Sequence, residues 1–437
     1  MIKKILPLVL ISLSLHATAA VVIQEELYVV GLKPEVVRDL VDSRDVEIDH
    51  VTSEGFEIYG AKGLSQILDS RNIVTLDMKA VKNKMLAEYP TYIEFTARMQ
   101  AIAAKRPDLI KLFSIGKTVK GRDMWMVKIS DNVDKDEVEP EFKFISSMHG
   151  DEITGRELTT SLIEEMINNY GKNSELTDLM NNTEIYIMPS MNPDGSELKQ
   201  RANAKGIDLN RSFPEFVDND ANKPEGRPIE VQNVMKFQGT RQFALSANFH
   251  GGTIVANYPW DSRYDRHPLN DLAMDISHAY ADLNPEMRSS SEFSGGITNG
   301  ADWYIVKGGM QDWSYIWYND LQITLEVSHS KYPSYSQIPG FYVSNRDSMV
   351  AYMKRVHQGA GFRLDRSNVE GTVIVKQLTP SAREMGSFGF NNSEFYKVLP
   401  EGTYELTVNE KNGKSQKISV SVENEVIRGN GNYISLK

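Results

Sequence analysis

The sequence predicts an α/β chain built on a mostly buried mixed sheet. A small ferredoxin-like α+β sandwich flanks it on the N-terminal side and a β-sandwich on the C-terminal side. Three observations predict this. Six short elements near the start follow the order βαββαβ, strand-like runs alternate with helical periodicity from about Tyr89 to His357, and only short strands separated by Gly, Asn and Pro follow Gly359. With 437 residues, the chain exceeds what one core serves. The expected division is a leader over 1–20, the small sandwich over 21–84, the α/β unit over 85–357 and the β-sandwich over 358–437.

The leader reading rests on "MIKKILPLVLISLSLHATAA". Lys3 and Lys4 precede an apolar run from Ile5 to Leu15, and Ala17-Thr18-Ala19 has the small-x-small pattern of a signal-peptidase site. The run is too short to span a bilayer, and no later stretch is long and apolar enough to do so. We therefore expect an exported protein of bacterial type, periplasmic or secreted, with no membrane span. It has no cysteine, so packing or bound metal must supply what disulfides give other exported proteins. The formal charge is −11, and loss of the leader removes two lysines and no acid. Such an acidic surface argues against nucleic acid and weakly favours cationic substrates.

Each element follows from local pattern. "LYVVGL", "DVEIDHV", "EGFEIYG" and "NIVTLDM" read as strands; Val36, Val37, Leu40 and Val41 line a helical face behind Pro34, and "AKGLSQILDSR" supplies a second helix. A linker spans about Val81 to Glu88. Beyond it Tyr92, Phe95, Met99 and Ile102 share a helical face, "GRELTTSLIEEMINNY" is a helix, and "DMWMVKIS", "EFKFISSM", "EIYIMPS" and "FALSANFH" are strands. "GTVIVKQL", "GTYELTVNE" and "SQKISVSV" belong to the last unit.

His149 and Glu152 lie three apart in "SSMHGDEITGRE", where a strand end turns into a helix start and can point both inward. Zinc in a hydrolytic site takes three protein ligands and keeps a fourth position for water. An H-x-x-E pair alone is a weak signal. Among candidates for a third ligand, His250 closes the strand "FALSANFH" directly before Gly251-Gly252, at a strand's carboxyl end where open α/β sheets place their sites.

"HGDEITGRE", "GIDLNRSFP", "SANFHGGTIVANYPWD", "WYIVKGGMQDWSY" and "ITLEVSHSKYP" occur in the order and rough spacing of the zinc metallocarboxypeptidases. The chain most resembles their regulatory branch, carboxypeptidases D, E, M and N, over Tyr89 to His357. Gly361 to Val408 also resembles the transthyretin-like sandwich that follows the catalytic domain in that branch. The resemblance implies one zinc ion per chain, held by His149, Glu152 and His250. It implies that Glu326 is the general base, that Arg201 stabilises the oxyanion, and that Asn210 and Arg211 grip the substrate's terminal carboxylate. Asp208 would orient a zinc histidine. Tyr304 would close over substrate. Asp261, eleven residues after His250, would bind a Lys or Arg side chain, with Gln311 beside it at the pocket floor.

The implied activity is release of C-terminal Lys or Arg from peptides or proteins by a monomer. Two other readings compete. One is an exported zinc peptidase acting on murein stem peptides, whose diaminopimelate also carries an ammonium; the other is a peptide-binding protein that kept the fold and lost the chemistry. Asp151 stands where digestive members carry an arginine, which leaves the inner subsites open. His329, three residues after Glu326, lies outside the expected ligand set. The small sandwich has the topology of a propeptide, and a cap cut near Lys82 or Lys84 is expected from the polar linker.

Overall fold

The structure, a computed structural model, describes residues 21–52, 55–77, 88–423 and 432–437. The leader, and the linker positions Lys82 and Lys84, lie outside the described residues.

The first sheet contains β1 (Glu25–Val30), β2 (Val46–Thr52), β3 (Gly55–Gly60) and β4 (Thr75–Asp77) in the spatial order β2-β3-β1-β4. Helical segments Pro34–Asp42 and Leu64–Ser70 complete the βαββαβ order. Strand periodicity divides β2 and β3 between two environments. Val46, Ile48, Phe56 and Ile58 enter the unit's own core with Val29, Val37 and Leu68. Glu47, Asp49, Glu57 and Tyr59 alternate with them, and Asp49 pairs with Glu57 across the ladder. The expected helical face is only partly realised: a 3-10 turn over Pro34–Val37 leaves Val36 exposed and buries Val37.

The large sheet has eight strands: β5 (Ile110–Lys117), β6 (Asp123–Ile129), β7 (Glu141–Ser146), β8 (Glu184–Met188), β9 (Phe243–His250), β10 (Ile254–Tyr258), β11 (Ile297–Asn299) and β12 (Leu321–Val327). Their order is β11-β10-β12-β9-β7-β8-β6-β5. The four central strands, β12-β9-β7-β8, are mutually parallel, while β10 and β6 run antiparallel to their inner neighbours. Both faces are covered, as near-continuous apolar runs require. Phe142, Phe144 and Ile187 pack with Met99, Leu158, Ile276 and Met353 on one side. Ile145 and Met188 pack with Val234 and Trp313 on the other. The helix Tyr92–Lys105 starts at a capping box in which the Thr91 and Glu94 side chains each accept from the other's backbone N–H.

Seven strands follow: β13 (Gly359–Leu364), β14 (Gly371–Gln377), β15 (Arg383–Phe390), β16 (Glu394–Val398), β17 (Gly402–Glu410), β18 (Ser415–Val422) and β19 (Tyr433–Leu436). They form sheets β16-β13-β19 and β15-β14-β17-β18 around Phe362, Val373, Phe395, Leu406 and Val420. Tyr396, Val398 and Tyr433 belong to the core of the large sheet, so the two units share apolar surface. Among the described residues, no helix is long and apolar enough to cross a membrane.

Candidate active site and metal centre

Three parallel strands, β7, β9 and β12, carry the site at or just beyond their carboxyl ends. His250 is the last residue of β9, and Glu326 of β12 is its partner in the ladder. His149 follows β7 by three residues. Ser147 adopts a left-handed conformation, φ 50°, and its hydroxyl donates to the Glu152 carbonyl at 3.0 Å, closing a turn that brings His149 and Glu152 to the same side. Gly150 is required there, because a Cβ would lie 2.1 Å from the Gly195 carbonyl carbon.

The three predicted ligands converge. His149 Nδ1 lies 3.0 Å from Glu152 Oε1 and 3.0 Å from His250 Nδ1, and His250 Nδ1 lies 2.7 Å from Glu152 Oε2. All three residues are buried. His149 Nε2 sits 3.0 Å from Asp208 Oδ1, which assigns the proton to Nε2 and leaves Nδ1 as a lone-pair donor. Two imidazole Nδ1 atoms and a carboxylate within reach of one point form a donor set that suits zinc. Burial holds the His250 imidazole below its ordinary value, favouring the neutral form that binds metal.

Asp208 organises the neighbourhood. It accepts from Arg201 Nε at 2.7 Å and from the Asn210 backbone N–H at 2.7 Å as well as from His149. Burial alone would raise its carboxyl, but Arg201 and His149 hold it well below the usual range. Arg201 is fully buried; its Nη1 approaches His149 Nδ1 at 3.0 Å, and its Nη2 has no hydrogen-bond partner among the described residues. Glu326 Oε2 is likewise buried without a partner. Burial, then the charges of Glu152 and Asp49, push its carboxyl well above the ordinary value.

One cavity is lined by seven of the predicted site residues: His149, Asn210, Arg211, His250, Asp261, Tyr304 and Glu326. Gln311 reaches it through Asp261, donating from Nε2 to Oδ1 at 2.9 Å, and Asn257 Nδ2 donates to the same oxygen at 3.0 Å. Gly300 packs against this carboxylate so closely that a Cβ would lie 1.8 Å from Oδ1. Asp261 makes no ion pair among the described residues. Burial, then Asp312, push its carboxyl well above the ordinary value. His329 lies apart from this cluster, 3.8 Å from Glu286.

The profile described as "Zinc carboxypeptidase" matches residues 95–348. The chain belongs to the zinc carboxypeptidase family. It is 38% identical to human carboxypeptidase D over 75% of its own length and 36% identical to mouse carboxypeptidase M over 71%. It spans about a quarter of the length of the carboxypeptidases D that it matches and 76% of carboxypeptidase M. The fold is also that of carboxypeptidase A from Helicoverpa armigera, with a TM-score of 0.63, 16% identity, and 77% of this chain and 98% of that one covered.

Against this carboxypeptidase frame, several residues stand out that sequence reasoning missed. Asp312 accepts from the backbone N–H groups of Asp261 and Ser262 and from the Ser262 hydroxyl, bracing the loop that carries Asp261. Thr324 links Gln311 to Asn248 in the sheet. The largest omission is the acidic face of β2 and β3. Asp49 accepts hydrogen bonds from Arg201, from Lys331 Nζ at 2.7 Å and from the Tyr304 hydroxyl at 2.8 Å. Lys331 also pairs with Glu57 at 2.6 Å, and Arg201 lies over the Tyr59 ring at 4.8 Å. Arg211 donates from Nη2 to the Ile48 carbonyl at 2.9 Å, and Trp303 Nε1 to the Val51 carbonyl at 3.2 Å. The strand "DVEIDHV" thus places a carboxylate among the cations beside His149 and Glu152.

Proposed function

We propose that the chain is a zinc carboxypeptidase that hydrolyses the last peptide bond of peptides ending in Lys or Arg, and that its N-terminal unit holds the cleft shut until displaced. The observation that carries the specificity is Asp261, buried on the wall of the cavity that His149, His250 and Glu326 also line, with no ion pair among the described residues. Two amide donors converge on its Oδ1, and Oδ2 accepts no hydrogen bond among the described residues. A buried carboxylate without a counter-charge rewards an entering ammonium or guanidinium and penalises a neutral side chain.

Zinc held by His149, Glu152 and His250 would supply a Lewis acid beside the scissile carbonyl. Glu326 takes a proton from the attacking water and returns it to the leaving amine, a role suited to a carboxyl whose affinity for protons is raised by burial. Arg201, fixed by Asp208, offers the free Nη2 donors to the oxyanion. Asn210 and Arg211 grip the terminal carboxylate, Tyr304 covers the bound peptide, and Gln311 keeps Asp261 oriented.

The closed state is supported by the company Asp49 keeps. Its carboxylate engages Arg201 and Tyr304, and the neighbouring Ile48 carbonyl engages Arg211. These are three of the groups that would meet the peptide. We place the working enzyme outside the cytoplasm as a monomer, after export directed by residues 1–20 and cleavage near Lys82 or Lys84. The test is release of Arg, Lys, Phe and Glu from otherwise identical peptides by zinc-loaded protein cut in the linker. Arg and Lys should leave fastest. Release of Phe at the rate of Arg would overturn the specificity.

A further inference from the structure

The connection from β6 to β7, "SDNVDKDEVEPE", concentrates acids far beyond what a surface turn needs. Two acidic clusters form around it, and the fold treats them differently. In one, Asp136, Glu141 and Glu184 surround the Arg241 guanidinium, with Glu184 at 3.1 Å and Asp136 at 3.5 Å, and Lys128 adds a second cation at 2.8 Å from Glu184. In the other, Asp131, Glu137 and Glu139 bring one oxygen each within 4.8 Å of one another, and none of the three makes an ion pair among the described residues.

Glu139 makes the second cluster more than a patch of charge. It is only 7% exposed, and its Oε2 is buried without a hydrogen-bond partner. Burial, then Glu137 and Asp131, push its carboxyl up to about 8. A buried carboxyl facing two other acids and lacking any donor is costly as an anion, so it holds a proton until a cation joins it. The three oxygens fit one hard ion: calcium binds oxygen at roughly 2.3–2.6 Å, which places ligands on one sphere up to about 5 Å apart, and it accepts several carboxylates with loop carbonyls and water. Glu137 and Glu139 also line an open cleft against Arg363 and Tyr433 of the C-terminal unit, which gives an ion a path to the site.

We propose that Asp131, Glu137 and Glu139 form a calcium site, separate from the zinc centre. The loop it would fasten is the one on which the C-terminal sandwich leans. Arg363 of β13 donates to the carbonyls of Asp136 and Glu137 at 3.1 and 3.0 Å and to Asp136 Oδ2 at 2.9 Å. The same loop enters β7, which leads to His149. The bound ion would couple sandwich docking to the strand that precedes the metal-binding turn.

The experiment uses the zinc-loaded full chain, with calcium chloride titrated to about 5 mM, above the roughly 0.1–1 mM range of extracellular calcium modules. Calorimetry and thermal unfolding are followed for the wild type, Glu139→Gln and Asp131→Asn. Calcium should bind the wild type with one equivalent of heat and raise its Tm by a few degrees, with a smaller response to magnesium. Both variants should lose the response. Glu139→Gln without calcium should unfold at a higher temperature than wild type near neutral pH, because the amide removes the cost of neutralising a buried carboxyl. A wild type indifferent to calcium, a calcium response retained in Glu139→Gln, or magnesium acting as strongly as calcium would overturn the assignment.

Discussion

Replacing Asp49 by alanine tests whether the N-terminal unit controls access to the cleft. The side chain accepts from Arg201, Lys331 and Tyr304, and all but Tyr304 are full cations in a dry setting. Removing one member of a buried pair costs roughly 3–5 kcal/mol when the remaining charge is stranded. Neither cation is stranded here, since Arg201 keeps Asp208 at 2.7 Å and Lys331 keeps Glu57 at 2.6 Å. The lower end, about 3 kcal/mol, is therefore the expected loss of docking energy, and at 1.4 kcal/mol per tenfold it raises the open population about a hundredfold. The assay is release of Arg from a short peptide by the uncut, zinc-loaded chain, comparing wild type, Asp49→Ala and Asp49→Asn. Asp49→Ala should approach the rate of protein cut in the linker, with kcat/KM about a hundredfold above uncut wild type. Asp49→Asn, which keeps the shape and loses the charge, should fall between. Equal rates for uncut wild type and Asp49→Ala would show that the cleft is already accessible and would end the cap reading.

Glu326→Gln should lower turnover by about a thousandfold or more while leaving the zinc content measured by atomic absorption unchanged. Asp261→Ala should reduce kcat/KM for Arg- and Lys-ended peptides by about 30- to 5,000-fold, equivalent to about 2–5 kcal/mol, and change Phe release little. Lys397 gives a test of stability against pH. Burial depresses its amine to about 7, its Nζ has no hydrogen-bond partner among the described residues, and the rings of Tyr315 and Phe388 lie at 4.3 and 4.6 Å. A depressed amine disfavours the proton in the folded state, so the penalty is complete below pH 7 and fades as pH rises toward the unfolded value of about 10.4. Wild-type stability should rise between pH 7 and 9.5. Lys397→Met should flatten that rise and add about 2–4 kcal/mol at pH 7, the gap of roughly three units being reduced by the cation–π contacts. Denaturant melts at the two pH values measure both.

Much of this arrangement was legible from residue order because it depends on period and punctuation. The β9 run ending at His250 before two glycines, and the helix after Glu152, are set by local chemistry, and the structure brings the two side chains together. The order β2-β3-β1-β4 follows from βαββαβ once sheet pairing is assumed. What stayed hidden needs contacts between distant segments. "DVEIDHV" announces a strand with one polar face, but a polar face normally meets water, and only docking reveals that Asp49 meets Arg201, 152 residues later. Asp312 gives no separate signal, because an acid in the first turn of a helix ordinarily just suits the helix end; here it braces the neighbouring loop. Lys331 gave no signal of its own, since its meaning lies in two carboxylates on another sheet.

Glu326 and His250 face each other across two neighbouring parallel strands. They are buried partners on one rung of the ladder between β12 and β9, so their separation is fixed by backbone geometry common to any two parallel strands. Asp261 and Tyr304, by contrast, stand on connecting segments outside that ladder. Exchange of the connecting segments therefore changes what surrounds Asp261 and Tyr304 while the spacing between Glu326 and His250 stays the same.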